Sequence, residues 1–369
     1  MTTKSKFREL IKTHKETIVA FTLAAAAALL IKLPALFGTD MDQDEDFYIR
    51  NMSLFVLPLL TGYFVWKRGL DTRTLLLLVL AFAGAGLFAN VYPFDERGDT
   101  QILLALHLPV ALWLVVGIAF SGGHWSWVDG RMDFIRFSGE LFIYYVLIAL
   151  GGGVLTGFMA LIFGSIDIDI EPVFESWILP CGAAGAVIVA AWLVEARKSM
   201  IGNLAPVLAR LFTPLFTIML IMFLGTLLFS GRGIEIERDV LIAFDMLLVV
   251  VLGLLLYGIS ARDPGSPPGA FDVVQVVLVV SALLADAAAL WAISGRITEF
   301  GFTPNRAAAL GMNIILLVNL AWSAVLCIRF LRGRGPFTAL EQWQTDYLPV
   351  YAIWAAIVVI IFPPLFGFQ

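Results

Sequence analysis

Charged residues are scarce in this 369-residue sequence, and their scarcity excludes an ordinary water-soluble domain. Asp, Glu, Lys and Arg together make up 14% of the chain, and hydrophobic residues make up 60%. Soluble domains carry about 25% charged and about 45–50% apolar residues. The charged residues are also clumped between long uncharged runs, and a run of about 20 apolar residues matches the thickness of a bilayer core. The sequence therefore predicts an all-α protein, a polytopic transmembrane helix bundle.

Motifs that would identify a chemistry are missing as well. The sequence contains no Walker A, HExxH, GxSxG or CxxC pattern. Its histidines, His14, His107 and His124, are too far apart in sequence to suggest a metal site. The two cysteines, Cys181 and Cys327, are predicted near opposite membrane faces and indicate no disulfide. We therefore expect no metal, no cofactor and no nucleic-acid partner; the expected partners are membrane lipids and a small-molecule or lipid substrate. The sequence specifies no oligomeric state.

Eleven apolar segments are long enough to be read as membrane spans, although the second is short. They are residues 17–37, 52–66, 74–94, 101–121, 138–165, 175–195, 211–230, 240–260, 271–293, 305–328 and 346–366. The first segment follows a basic stretch and no cleavage site follows "LPALFGTD", so it is read as an uncleaved span.

The distribution of Lys and Arg predicts the orientation. With the N-terminus in the cytoplasm, six basic residues fall in outer loops and Lys32 falls in a span, which leaves 17 of the 24 on the inner side. Basic residues are enriched in cytoplasmic loops. The predicted outer loops are acidic, as in "TDMDQDEDF" and "DIDIEP". We therefore expect a cytoplasmic N-terminus.

The chain shows no soluble domain and no clear internal repeat. Residues 1–16 are predicted to form a cytoplasmic tail, and residues 17–260 a transmembrane block of about eight spans. The Pro- and Gly-rich residues 261–270 are predicted to form a cytoplasmic linker, followed by a block of about three spans at 271–369. Glycines in "ALGGGVLTGFMALIFG", above all Gly153 and Gly157, favour close helix packing over a hinge. The small residues of "CGAAGA", at 181–186, are read in the same way.

Four ionisable residues lie well inside the predicted spans: Lys32, His107, Asp245 and Asp286. A charged side chain at a span centre costs about 2.5–3.5 kcal/mol, and such residues usually face a protein interior or a wet cavity. All four are predicted about 8–11 Å below the outer ends of their spans. Asn90 and Asn313 fall in the same outer half. We therefore hypothesise an outward-facing polar pocket in which Lys32 neutralises Asp286 or Asp245.

Structural explanations compete with this hypothesis. Lys32 can extend its long side chain to the outer surface. A lone histidine such as His107 is more typical of a neutral packed side chain than of a ligand. Asp245 is interfacial if its span begins one turn later. Asp286 is harder to dismiss, because shifting its span outward would bury "GRITE"; an ion pair, a helix-bonded acid and a transport or catalytic role all remain open for it.

The segment after Asp286, "RITEFGFTPNR", is predicted to be a polar loop. Arg296 suits the C-terminal end of a helix, and Glu299 is three residues away from it. Gly301 permits a turn, and Thr303 followed by Pro304 is typical of a helix start. Arg306 would then lie in the first turn of a helix, where a cation is unfavourable. We expect an anionic group to compensate it: Glu299, Asp286 or a lipid phosphate.

This loop resembles a family of bacterial inner-membrane proteins known only as a domain of unknown function. The resemblance rests on the pattern R-I-x-E-[YF]-G-x-T-x-x-R, which Arg296, Glu299, Gly301, Thr303 and Arg306 match and in which Phe300 stands where tyrosine is common. A second likeness covers "LARLFTPLFTIMLIMFLGTLLFSG" at 208–231. The resemblance implies a multi-pass protein of the bacterial cytoplasmic (inner) membrane and supplies no substrate or reaction.

Three functional interpretations follow. The favoured one is a transporter or permease that uses the outer polar pocket, with Asp286, Asp245, Lys32 and His107 as candidate substrate- or proton-binding residues. The second is a membrane-embedded enzyme acting on lipid or envelope precursors, in which Arg296 and Arg306 hold phosphate and Glu299 or Asp286 acts as base. The third is a structural or regulatory subunit whose polar residues only pair helices. Whether the protein is an enzyme is therefore left open.

Overall fold

The computed structural model describes residues 3–41, 43–166, 169–196, 204–229 and 238–369, and within them the regular structure is helical, with no β-strand. Eleven long helices follow one another along the chain. They are α1 (Thr3–Leu30), α2 (Glu45–Arg68), α3 (Thr72–Val91), α4 (Asp99–Phe120), α5 (Val128–Gly164), α6 (Glu171–Ala196), α7 (Leu204–Phe229), α8 (Arg238–Ser260), α9 (Ala270–Phe300), α10 (Pro304–Leu331) and α11 (Thr338–Ile360). A short 3₁₀ turn (Leu33–Phe37) follows α1, and a last turn, α12 (Phe362–Leu365), follows α11.

The lengths and composition of these helices confirm the predicted fold class. Across the described residues, ten helical segments are long and apolar enough to cross a membrane. The exception among the eleven long helices is α8, whose described apolar part, Asp245–Ser260, is shorter. Every predicted apolar segment coincides with one long helix. The protein is therefore a multi-pass, all-helical membrane protein, and its orientation stays a prediction.

The predicted extent of the polar loop at 296–306 is wrong, because the loop is shorter in the structure. Helix α9 continues through Arg296 and Glu299 to Phe300, because nothing in "GRITEF" breaks a helix until Gly301 adopts a left-handed φ of 83°. Helix α10 begins as predicted. The Thr303 hydroxyl accepts a hydrogen bond from the backbone N–H of Arg306, and Pro304 occupies the first helical turn.

The chain forms two compact units. Unit 1 consists of Met1–Arg97, Leu108–Trp125 and Phe137–Ile201, and unit 2 consists of Gly98–His107, Ser126–Arg136 and Gly202–Gln369. The predicted linker at 261–270 lies inside unit 2 and not between the units. The N-terminal tail predicted for residues 1–16 belongs largely to α1, which begins at Thr3.

Unit 1 is built on the packing of α1 against α6 and α2. Small residues hold these helices close: the backbone of Ala24 lies 3.4 Å from the position that a Cβ on Gly185 would take. Ala27 and Ala184 belong to the same buried cluster, together with Ile31. Small residues allow helix backbones in a membrane to approach closely. The prediction that "CGAAGA" serves static helix packing is confirmed at Gly185.

A buried ionic network joins α1, α2 and α6 in unit 1. The Lys67 amine lies 3.1 Å from the Glu195 carboxylate and 3.2 Å from that of Glu16. The Arg68 guanidinium donates to both carboxylate oxygens of Glu195 and to the Phe120 carbonyl. Glu195 is almost fully buried. Part of the predicted cytoplasmic cation cluster is therefore neutralised by carboxylates from α1 and α6.

The prediction of close packing at Gly153 and Gly157 is wrong for the described residues. A Cβ added at either position would meet nothing within 4 Å. The same holds for Gly151, Gly152 and Gly164, and residues 151–155 are exposed without exception. The glycine-rich half of α5 therefore presents open backbone where the pattern predicted a partner helix.

Unit 2 is organised around α9, which packs against α10, α7 and α8, while α11 packs against α10 and α8. Three fully buried polar side chains join α10 to α11. The amides of Asn319 and Gln344 exchange hydrogen bonds in both directions, at 3.2 and 3.1 Å. The Gln344 amide also donates to the Ser323 hydroxyl at 2.6 Å. This network satisfies the polar groups that it buries.

The Pro- and Gly-rich residues 261–270 are fixed to unit 2 by Arg262. Its guanidinium pairs with the Asp272 carboxylate at 2.9 Å and donates to the carbonyls of Ser266 and Pro267. It also lies between the rings of Phe330 and Phe337, at 4.6 and 4.5 Å from their centroids. The segment is therefore an anchored turn.

We expect Gly311→Ala to destabilise unit 2, because the added methyl group would overlap the Trp354 indole ring. Overpacking of this kind costs about 1–3 kcal/mol. The thermal unfolding midpoint of the purified protein in detergent should fall. Gly253→Ala on α8 is the matched control, since a Cβ there meets open space, and its midpoint should not fall. Equal effects of the two substitutions would contradict the close packing at Gly311.

Candidate functional site

Asp286 lies on the face of α9 that is buried within unit 2. Buried residues recur along this helix at spacings of three and four, so they form one stripe. The stripe consists of Asp272, Gln275, Val279, Ala282, Asp286, Ala289 and Ile293. Asp286 has no accessible surface. Because α9 continues to Phe300, Asp286 lies about 21 Å along the axis from the end of the helix, which is farther from that end than the sequence predicted.

The carboxyl group of Asp286 has no hydrogen-bond partner among the described residues. Both of its oxygens are buried, and no donor in the described part of the chain reaches either of them. Within the described part of unit 2, no Lys, Arg or His forms an ion pair with it. An ionised carboxylate in such surroundings would cost several kcal/mol, because no described neighbour offsets its desolvation.

A second carboxyl group lies close to the first. Asp245 on α8 interacts electrostatically with Asp286. Its Oδ1 accepts a hydrogen bond of 2.9 Å from the Asn313 amide, which also donates to the Ala309 carbonyl of its own helix. Three helices, α8, α9 and α10, therefore bring Asp245, Asp286 and Asn313 together. The sequence placed these three residues in one polar layer.

Tyr351 on α11 is a member of the site that sequence reasoning missed. Its hydroxyl is buried and has no hydrogen-bond partner in the described chain, and the residue interacts electrostatically with Asp286. Buried positions recur along α11 at spacings of three and four from Gln344 to Val358, and that stripe includes Tyr351. Helical periodicity was the signal that could have found it. We call Asp245, Asp286, Asn313 and Tyr351 the Asp286 cluster.

One further polar atom of the Asp286 cluster is unsatisfied among the described residues. The side-chain oxygen of Asn313 is buried without a partner among the described residues, in addition to the Tyr351 hydroxyl and both Asp286 oxygens. Buried polar groups normally have partners, and each exception calls for an explanation. A cluster of hydroxyl, amide and carboxyl groups can bind a proton, and on rearrangement it can bind a polar ligand.

Arg296 and Arg306 are placed near the end of α9. The Arg306 guanidinium donates to the carbonyls of Phe300 and Gly301, at 2.9 and 2.8 Å, and lies 5.6 Å from the Phe300 ring. Carbonyls at the C-terminal end of α9 therefore supply the compensation expected from an anion. Arg296 lies 5.9 Å from the same ring. Glu299 lies in the last turn of α9 and is exposed.

His107 and Asn90 make local contacts. The Nδ1 atom of His107 lies 2.8 Å from the Leu103 carbonyl one turn earlier in α4, and the ring is half-buried. Asn90 exchanges hydrogen bonds with Asn51, at 2.8 and 2.9 Å, and so joins α3 to α2. These contacts are those of helix-packing residues in their own units.

Lys32 belongs to unit 1. Its amine lies 5.1 Å from the centroid of the Trp177 ring, and the residue is only 9% exposed. The predicted pairing of Lys32 with Asp286 or Asp245 stays a prediction.

Comparison with known proteins finds no match: no protein-family model, no curated protein and no solved structure resembles the chain significantly. The resemblance of the 296–306 segment to a bacterial membrane family therefore stays a prediction.

Asp286 and Asp272 provide a matched pair of acids on one helix. We expect Asp286→Asn to leave thermal stability unchanged or raised, because it removes a buried ionisable group without a partner. Asp272→Asn should lower stability by about 3 kcal/mol, because it breaks the buried pair with Arg262. Unfolding midpoints of both variants in detergent measure the difference. A larger loss for Asp286→Asn would show that Asp286 has a stabilising partner.

Proposed function

We propose that this protein is a proton-linked transporter of the bacterial inner membrane, in which Asp286 and Asp245 form the proton-binding pair. The observation that carries the proposal is the isolation of Asp286: no accessible surface, no hydrogen-bond partner for either oxygen in the described chain, and a second carboxyl group close by. The location in a bacterial inner membrane rests on the sequence resemblance alone.

A structural role would give Asp286 a partner. An acid kept for helix pairing is expected to meet a cation or a hydrogen-bond donor, as Asp272 meets Arg262. Asp286 meets neither among the described residues. Ionisable residues inside membrane segments usually mark ion pathways or proton relays. The arrangement therefore favours a group that exchanges a proton over a group that fastens helices.

For the Asp245–Asp286 pair, the state with one bound proton is more favourable than the state in which both carboxyl groups are ionised. Two carboxylates that are close together in apolar surroundings repel each other, and without a cation they cannot both ionise cheaply. Asn313 donates to Asp245 and can stabilise its negative charge. The unsatisfied hydroxyl of Tyr351 can supply a donor to Asp286 after a small movement. Proton release from the pair would then be coupled to rearrangement of α8, α9 and α11.

The alternative of an enzyme acting on lipid phosphate has less support. It requires Arg306 to bind phosphate, but that guanidinium is already hydrogen-bonded to the carbonyls of Phe300 and Gly301. Both bonds come from the same guanidinium nitrogen, so part of the donor capacity of Arg306 is already used within the protein.

Labelling with dicyclohexylcarbodiimide tests the protonation state, because this reagent reacts with protonated carboxyl groups in apolar surroundings. We expect mass spectrometry of the full chain in detergent to find the adduct on Asp286. Asp286→Asn should abolish it. Asp95→Asn, which makes the same change at an exposed acid, should leave labelling intact. Labelling that is absent from Asp286 would contradict the proposal.

Infrared spectroscopy separates a working proton site from an inert buried acid. The carbonyl band of a protonated carboxyl group, identified by its loss in Asp286→Asn, should shift when the solvent is changed to D₂O. A transporter must exchange this proton with water on the timescale of turnover. A band that persists unshifted for hours would show that Asp286 is sealed and would overturn the proposal.

A further inference from the structure

Unit 1 contains two adjoining cavities that the proton-binding proposal does not use. The first, about 610 Å³ in volume, lies between the 3₁₀ turn after α1 and the first turns of α6, and Lys32 and Trp177 line it. The second, about 700 Å³, runs along the glycine-rich face of α5. Asp169 and Glu171 line both. We call the first the headgroup cavity and the second the glycine groove.

Lys32 gives the headgroup cavity a buried cation. The residue is nine-tenths buried, yet no carboxylate among the described residues of unit 1 lies within ion-pair distance of its amine. Its contact with the Trp177 ring offsets only part of the cost of burying the charge. A buried ammonium that lines a cavity and lacks an anion is suited to bind a phosphate or carboxylate there.

The rim of the same cavity carries the opposite charge. Four carboxylates line it, and all of them are exposed. They belong to Asp40, Asp169, Glu171 and Glu175. The rim attracts a cationic group, and the buried Lys32 amine attracts an anionic one. The two signs together match a ligand that carries both an anionic and a cationic group.

The glycine groove extends this polar cavity with an apolar one. Gly153, Gly157 and Gly164 line the groove, and a Cβ at any of them would meet open space. Bare helix backbone allows a chain of methylene groups to approach closely, and contacts of this kind hold apolar partners together where water provides no driving force. Ile170 and Phe174 add apolar surface at the end that adjoins the headgroup cavity.

We propose that unit 1 binds a zwitterionic membrane lipid whose headgroup carries a phosphate and a primary ammonium group. Lys32 holds the phosphate, the rim carboxylates hold the ammonium, and an acyl chain lies in the glycine groove. Trp177, about half exposed, has the position of an interfacial aromatic residue beside the headgroup. This site is independent of the Asp286 cluster, so each proposal can fail without the other.

Lipid binding to the purified full chain tests the proposal. Native mass spectrometry in a neutral detergent should show saturable binding of dioleoyl phosphatidylethanolamine. We expect about tenfold weaker binding of dioleoyl phosphatidylglycerol, which lacks the ammonium group, and of glycerophosphoethanolamine, which lacks the acyl chains. This selectivity is measured on the unaltered protein and does not depend on any variant folding.

Two substitutions locate the site, and each has a matched control. Lys32→Gln should weaken phosphatidylethanolamine binding about tenfold, whereas Lys15→Gln, at an exposed lysine, should not. Gly157→Leu should fill the groove and weaken binding about tenfold, whereas Gly182→Leu, at an equally open glycine of α6, should not. Equal binding of the two lipids, or an equal loss in a variant and its control, would overturn the proposal.

Discussion

The structure depends on one constraint: a polar group inside an apolar helix bundle must find its partner within the protein, because lipid offers none. Unit 2 meets this constraint in two places with complete networks. The amides of Asn319 and Gln344 pair with each other, and Arg262 pairs with Asp272 and two backbone carbonyls. These networks determine which helix faces meet. In contrast to these two satisfied networks, the Asp286 cluster contains unsatisfied polar atoms, so it marks the part of unit 2 that is not optimised for static stability.

The two units satisfy the constraint by different means. Unit 1 joins its helices through small residues at Ala24 and Gly185 and through a buried ionic network at Lys67 and Glu195. Unit 2 relies on amide and guanidinium groups placed along stripes of alternating three- and four-residue spacing. Each unit also contains a buried ionisable side chain that has no ion-pair partner among the described residues of its own unit: Lys32 in the first and Asp286 in the second. The two proposals rest on those exceptions.

Much of the fold could be predicted from the sequence, because long apolar runs between charged clusters admit only membrane-spanning helices. The C-terminal boundary of α9 could not be predicted from the sequence, because Arg296 and Glu299 are as compatible with a helix as with a loop. Hydropathy alone places the end of this span too early in the chain. Asp245 and Asp286 attracted attention as acids in apolar runs. Tyr351 did not, because an aromatic residue in a span is ordinary until its helix face is known. The open face of α5 shows that a glycine pattern predicts a helix surface that another group can approach closely. The pattern does not predict which helix or molecule approaches it.

Arg306 has a consequence for how this protein acquires its orientation. In the predicted topology it is one of six basic residues on the outer side, each of which opposes translocation of its loop. Its guanidinium, however, rests on the C-terminal carbonyls of α9, where the helix dipole presents partial negative charge. Once the α9–α10 hairpin has formed, this cation is partly masked. The hairpin can then cross the bilayer during biogenesis as a preassembled pair in which this positive charge is already hydrogen-bonded.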